Sequence, residues 1–128
     1  VLYGLFDKHG AYYDHLESLS LEGEAGLLRI QNILEYFRVN DLDALSDIKI
    51  LNKEDYLLLK DTHGNDLDYP SSNVIKYFFE DGSWIAIRPS GTEPKCKFYY
   101  NIKDETLDLA KAKYKRLSQA LNDIIERI

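Results

Sequence analysis

The chain has 128 residues, a length that fits one folded domain, or one domain with part of another. Of these residues 45% are hydrophobic and 30% charged, and the formal net charge is −6. This acidic balance argues against general binding to nucleic acids or anionic membranes, which requires a basic excess, and no apolar run approaches the roughly 20 residues of a membrane-spanning helix. The single cysteine, Cys96, excludes an internal disulfide and makes the cytosol the expected compartment.

The first forty residues are predicted to form two helical segments separated by an extended, partly irregular segment at 11–21. Residues 1–9 have apolar side chains at helical spacing, and Gly10 is a natural stop. A clearer helix is predicted over residues 22–39. Its apolar stripe consists of Leu27, Ile30, Leu34 and Phe37. Because the chain opens at Val1 with what resembles the last turns of a helix, we expect it to be a piece of a longer protein.

The residues after the polar run Asn40–Asp43, which is the candidate domain boundary, are rich in strand signals. Strands are predicted over four segments: 47–59, 74–79, 84–88 and 95–102. Residues 61–73 are predicted to be a loop, Asp81-Gly82 is a hairpin signal, and Asp104 is a suitable N-cap for a long final helix. The predicted fold is therefore α+β, with a four-stranded antiparallel sheet and helices packed on one face.

The connection between the last two predicted strands, Arg88–Lys95, has the sequence RPSGTEPK and is more elaborate than a turn requires. In a symmetric pairing Arg88 faces Lys95, and strand alternation divides the side chains between two faces. The predicted inner face holds Ile85, Ile87, Cys96, Phe98 and Tyr100. The predicted outer face holds Trp84, Ala86, Arg88, Lys95, Lys97 and Tyr99. Like charges that face each other cost stability, and a bound anion would remove that cost.

The composition of this connection suits an anion. Its two prolines stiffen the ends, the amides of residues 90–93 are consecutive donors, and Gly91 permits the positive φ that an amide nest requires. Further donors come from the side chains of Ser90, Thr92 and Arg88. Glu93 is expected to point away or to pair with a cation. A rigid surface hairpin whose polar residues face water remains equally open, since the loop matches neither a P-loop nor a dinucleotide fingerprint.

The segment RPSGTEPK, followed by a basic, apolar and aromatic strand, resembles the C-terminal phosphate-binding signature of the α-D-phosphohexomutases, the phosphoglucomutase and phosphomannomutase family. Three flanking segments agree: GEAGLLRIQNILEYFR at 23–38, SSNVIKY at 71–77 and EDGSW at 80–84. The resemblance covers nearly the whole chain. It implies that residues 1–40 are the helical end of the family's third domain, that residues 41–128 are its C-terminal fourth domain, and that a hinge lies near 39–43.

The resemblance also implies an enzyme that, at full length, interconverts sugar 1-phosphates and 6-phosphates through a phosphoserine, a bisphosphorylated intermediate and Mg²⁺. The positions that match the family's phosphate-binding loop are Arg88, Ser90, Gly91 and Thr92, and Lys97 falls where some members have a basic residue. The family's phosphoserine, metal and sugar-reading loops are not present in this sequence. We therefore expect neither catalytic nor metal-binding residues in this chain, and Mg²⁺ bound elsewhere in the full-length enzyme.

The expected partners are a glucose or mannose 1- or 6-phosphate, the bisphosphate intermediate and the other domains of the same chain, without nucleic acid or membrane. A non-enzymatic module that binds phosphorylated ligands or proteins and shares the fold is the alternative. Cys96 is expected to pack in the core, and the three histidines are expected on the surface.

Overall fold

The computed structural model describes residues 11–40, 42–57, 59–61, 66–67, 73–90 and 93–128. The helix predicted over residues 1–9 and most of the loop predicted over 61–73 lie outside these residues. The described residues form two helices and seven strands: β1 Ala11–Ser20, α1 Gly23–Val39, β2 Ala44–Leu45, β3 Ile48–Asp55, β4 Lys60–Asp61, β5 Ile75–Phe79, β6 Trp84–Pro89, β7 Lys95–Asp104 and α2 Leu107–Glu126.

The strands of the described residues form one antiparallel sheet in the order β1-β7-β6-β5-β3-β2, with β4 paired to β3. The predicted α+β class is confirmed, and the four predicted strands correspond to β3, β5, β6 and β7. Four is nevertheless too few, because β1 and the two-residue strands β2 and β4 also join the sheet. The predicted hairpin is present between β5 and β6, where Gly82 adopts a φ of +92° and the Asp81 carboxylate accepts the Ser83 amide at 2.9 Å.

The segment predicted to be extended and partly irregular is a regular ten-residue edge strand. β1 pairs with β7 over its whole length, from Ala11 opposite Asp104 to Ser20 opposite Lys95. Its sequence conceals a strand because the side facing α2 includes a polar residue, Glu17, in place of an apolar one. The Glu17 carboxylate oxygens accept hydrogen bonds from the Ser118 hydroxyl of α2 at 2.7 and 3.1 Å.

A single hydrophobic core joins the inner face of the sheet to both helices. The helical residues of this core are Ile30, Ile33, Leu34 and Phe37 from α1, and Ala110, Leu117, Leu121 and Ile125 from α2. The guanidinium of Arg29 links the helices by donating to the carbonyls of Ile125 and Ile128 at 3.0 and 3.2 Å. Described residues on both sides of position 40 thus share one core, and the domain boundary predicted there stays a prediction. Neither helix of the described residues combines the length and apolar character that crossing a membrane requires.

The start of α2 differs from the prediction. The N-cap is Thr106, whose hydroxyl accepts the Leu109 amide at 3.2 Å, and not Asp104. The Asp104 carboxylate instead lies 3.2 Å from the ammonium of Lys113, a buried lysine that also donates to Asp81. An Asp side chain can cap a helix only if no stronger partner competes for it, and the buried cation is that partner.

The end of α1 is held by β3. The ammonium of Lys53 donates to the carbonyls of Phe37 and Arg38 at 3.1 and 3.2 Å, which satisfies acceptors that the last helical turn leaves free. In return, the Arg38 side chain donates to the Asp55 carboxylate at 2.8 Å. The hinge predicted near residues 39–43 stays a prediction, and it borders a helix end that is tied to the sheet.

Candidate functional site

The β6–β7 hairpin presents two cations on its outer face. Arg88 lies opposite Lys97 and Pro89 opposite Cys96, so the predicted pairing of Arg88 with Lys95 is wrong by two residues. Because the side-chain period of a strand is two, a shift of two keeps every residue on its predicted face. The inner face is confirmed, since all of its members are buried: Ile85, Ile87, Cys96, Phe98 and Tyr100. The outer residues are exposed or half-buried, apart from Ala86.

Main-chain hydrogen bonds fix both ends of the connection. The Ser90 amide donates to the Lys95 carbonyl at 2.9 Å, the Lys95 amide to the Glu93 carbonyl at 2.7 Å, and the Leu21 amide to the Pro94 carbonyl at 2.8 Å. The prediction that the Ser90 amide is a free donor is therefore wrong, because this amide closes the hairpin. Ser90 is exposed and contributes to the lining of the cavity described next. Gly91 and Thr92, predicted to bind phosphate, lie outside the described residues.

A surface cavity of about 400 Å³ lies beside the connection. Its lining includes Arg88, Ser90, Glu93, Lys95, Lys97 and Tyr99, along with Pro89. Glu93 is 3.1 Å from the Lys95 ammonium, so the expectation that it pairs with a neighbouring cation is confirmed. Among the described residues neither Arg88 nor Lys97 has an anionic partner within 4 Å. The cavity therefore has an excess of positive charge on an acidic chain.

The start of α1 supports the connection from behind, a role that the sequence analysis missed. At Gly26 an added Cβ would lie 2.8 Å from the Leu21 Cβ and 3.2 Å from the Pro94 Cβ. No side chain fits there without moving a neighbour. The sequence signal that could have indicated this role is a glycine inside an otherwise regular helical pattern.

Cys96, on the inner face behind the cavity, is a packing residue. Burial raises the pKa of its thiol to about 12, and a backbone hydrogen bond from Arg88 offsets only part of this effect. A thiol with so high a pKa stays protonated near neutral pH and is a poor nucleophile. His15 lies in an aromatic cluster, with its Nδ1 3.2 Å from the Tyr13 hydroxyl; His9 and His63 lie outside the described residues.

The described residues do not fit a magnesium site. In the described ranges no group of three or more His, Cys, Asp or Glu side chains is placed to hold a metal ion, whereas Mg²⁺ is bound through carboxylate oxygens and water. We therefore derive no chemical step in this chain through Mg²⁺.

Comparison with known proteins identifies similar chains. A family model described as phosphoglucomutase/phosphomannomutase, C-terminal domain, matches residues 34–113. The phosphoglucomutase of Staphylococcus aureus (strain MRSA252) is 40% identical over an alignment of 110 residues, and the match covers 81% of this chain and 20% of that protein. The phosphoglucomutase of Staphylococcus epidermidis (strain RP62A) is 35% identical over an alignment of 121 residues, and the match covers 91% of this chain and 21% of that protein. The chain thus spans about a fifth of the length of these relatives.

A solved structure shares the fold. The open form of the exocytosis-sensitive phosphoprotein pp63/parafusin, a phosphoglucomutase from Paramecium, superposes with a TM-score of 0.56 at 18% identity. The similarity covers 98% of this chain and 22% of that one. The structural similarity therefore extends to residues before position 34, which is where the match to the family model begins.

Proposed function

Because this chain belongs to the phosphoglucomutase/phosphomannomutase C-terminal domain family, we propose that it binds the phosphate that is not being transferred while a hexose phosphate is converted between its 1- and 6-phosphate forms. The observation that carries the proposal is the pairing of Arg88 with Lys97 across β6 and β7, on the wall of one cavity. Two opposed cations repel each other, and an anion bound between them would offset that repulsion. A phosphate monoester supplies about 1.5–2 negative charges near pH 7.

The chemistry of the pair suits a phosphate. The Arg88 guanidinium can donate two parallel hydrogen bonds to two phosphate oxygens, and Lys97 supplies a compact charge. Hydrogen bonds to charged groups contribute about 1.5–3 kcal/mol each. The Ser90 hydroxyl, on the same cavity wall, is a third donor. We assign the remaining donors to Gly91 and Thr92 on the basis of the family signature.

The proposal also includes the activity of the longer enzyme. We place this chain in a longer enzyme, a phosphoglucomutase or phosphomannomutase of the cytoplasm, whose other domains carry the phosphoserine and Mg²⁺. In that enzyme residues 1–40 end the third domain and residues 41–128 form the fourth. Binding energy at the distant phosphate would orient the sugar for transfer, which raises the rate without any reacting group in this chain.

A titration of the 128-residue chain tests the proposal. The amide resonances of residues 88–97 are followed by NMR as inorganic phosphate or glucose 6-phosphate is added, with glucose as the uncharged comparison. We expect both anions, but not glucose, to shift these resonances. Arg88→Ala should weaken phosphate binding about tenfold to a hundredfold, the loss expected for charge-assisted hydrogen bonds.

Arg116→Ala is the matched control, because Arg116 is exposed on α2 and the substitution changes the net charge equally. Equal losses in both variants would reduce the effect to general electrostatics and refute the site. The alternative, a non-enzymatic binding module, would also pass this titration. It would be favoured if the longer protein had no mutase activity, or if Arg88→Ala left that activity unchanged.

A further inference from the structure

Tyr99 lies where two surface cavities meet. It lines the cavity beside Arg88 and Lys97, and it also lines a second cavity of about 550 Å³ that continues along the outer face of the sheet. Trp84, Leu16, Asp14 and Asn101 belong to this second cavity. A ligand with its anionic end at Arg88 can therefore extend past Tyr99 without leaving the surface of the chain.

The ring of Tyr99 is available for contact. Its cross-strand neighbours are Ala86 on β6, which is too small to cover an aromatic ring, and Leu16 on β1. Within the described residues Tyr99 makes no ring stacking and no cation–π contact. Trp84, by contrast, has the ammonium of Lys76 at 4.1 Å from its ring centroid. Tyr99 is thus a half-buried aromatic residue of this surface whose ring is covered by no other ring or cation of the described residues.

Hydrogen-bonding groups follow Tyr99 along the strand. Asn101 is the next outer residue of β7, about 6.8 Å further on, and its side-chain amide donates to the Asp14 carboxylate of β1. This bond uses one oxygen of Asp14, so its second oxygen and the Asn101 carbonyl oxygen can accept hydrogen bonds from a ligand. The order along β7 is therefore cation, aromatic ring and hydroxyl acceptors: Lys97, Tyr99 and Asn101.

We infer that Tyr99 is the platform for the sugar ring of the bound ester and that Asp14 and Asn101 accept hydrogen bonds from its hydroxyls, an inference that rests on the proposed phosphate site. A pyranose has an apolar face of C–H groups that packs on an aromatic ring, and its hydroxyls require polar partners. Lys97 and Asn101 are four residues apart on β7, about 13.6 Å along the strand, which is long enough for a phosphate followed by one hexose ring. Tyr99 is thus a ligand-contacting residue that determines which esters are retained.

The test compares three ligands on the 128-residue chain: inorganic phosphate, glycerol 3-phosphate, which lacks a ring, and glucose 6-phosphate. Wild type should bind glucose 6-phosphate more tightly than glycerol 3-phosphate. Tyr99→Ala should remove this preference, with a loss of about three- to tenfold for the ring ester, and leave the affinity for inorganic phosphate unchanged. Tyr99→Phe should retain the preference, because it keeps the ring.

Tyr12→Ala is the matched control, since Tyr12 is an exposed tyrosine on the same face, opposite Lys103 and outside both cavities. It should change none of the three affinities. If inorganic phosphate binds but wild type shows no preference for the ring ester, the platform is refuted while the phosphate site stands. If no anion binds near Arg88, the proposed function itself fails.

Discussion

Arg88 and Lys97 are directly opposed in the β6–β7 register, and both project to the face of the sheet that the helices leave uncovered. Opposed like charges destabilise a strand pair by about 0.2–1 kcal/mol. The neighbouring cation Lys95 is already paired with Glu93, so this acid does not neutralise the Arg88–Lys97 pair. The repulsion between Arg88 and Lys97 destabilises the hairpin when no anion is bound. A dianion bound between the two cations would attract both of them.

Lys97→Ala should therefore change stability and binding in opposite directions. Without an anion, the variant should be more stable than wild type by about 0.2–1 kcal/mol, because the repulsion is removed. Its affinity for phosphate should fall, because one of the two cations is lost. Urea unfolding with and without phosphate measures both effects. Lys115→Ala, at an exposed position of α2, is the control. A Lys97 variant that is less stable without anion, or that binds phosphate normally, would contradict this account.

Gly26→Ala should displace the connection without touching the cations. The new methyl group would overlap Leu21 and press on Pro94, so we expect a loss of about 1–3 kcal/mol of unfolding free energy. Phosphate affinity should fall, and the resonances of residues 90–95 should move. Gly23→Ala is the comparison, because a Cβ there meets no atom within 4 Å but must adopt a φ of +69°. That strain should cost about 1–2 kcal/mol and leave phosphate affinity intact.

The buried Lys113 should make stability depend on pH through Asp81. Burial alone would raise the pKa of Asp81, but hydrogen bonds from Lys113 and Ser83 outweigh it and hold the pKa below its usual value of 3.8. A lowered folded-state pKa stabilises the fold fully above 3.8, and this contribution is lost as the pH falls through the lowered pKa. Asp81→Asn should cost about 1–3 kcal/mol at pH 7, and the difference from wild type should shrink below pH 3.8.

Chemical unfolding of wild type and of the Asp81→Asn variant, at pH values from about 2 to 7 that span the titration of an Asp, measures this dependence. The matched control is Asp47→Asn, whose carboxylate is exposed and lies 3.9 Å from the Arg116 guanidinium. It should change stability by less than about 0.5 kcal/mol. A pH-independent loss in the Asp81 variant would show that packing, and not charge, explains the effect.

Cys96 should report opening of the sheet behind the site. With a pKa near 12 and no exposed surface, its thiol should resist alkylation in the native chain at pH 8. Labelling should then require local or global unfolding, so its rate should rise with urea and fall when phosphate stabilises the hairpin. Rapid labelling of the native chain that is independent of urea would place this cysteine outside the core.

The faces of the central hairpin could be predicted from the sequence because alternation needs only a period of two. Ile85, Ile87, Cys96 and Phe98 are buried as expected, although the register of the hairpin is shifted. The symmetric pairing failed because alternation cannot distinguish registers that differ by two residues. The Ser90 amide was consequently assigned to an anion, whereas it donates to the Lys95 carbonyl.

Other features depend on partners that are distant in the sequence. β1 forms a regular strand although Glu17 interrupts its apolar alternation, because the partner of Glu17 is Ser118, on the last helix. Asp104 has the residue type of a helix cap, but its carboxylate pairs with the ammonium of the buried Lys113. Gly26 is required by the approach of Pro94, which lies far along the chain. Each of these contacts follows from tertiary packing, which local propensity does not encode.

The most direct test of the central claim is a crystal structure of this chain soaked with glucose 6-phosphate. We predict the phosphate in the cavity between the Arg88 guanidinium and the Lys97 ammonium, with oxygen–nitrogen distances of about 2.7–2.9 Å. An empty cavity, with the Arg88 side chain turned into solvent while the ligand is present at saturating concentration, would contradict the account.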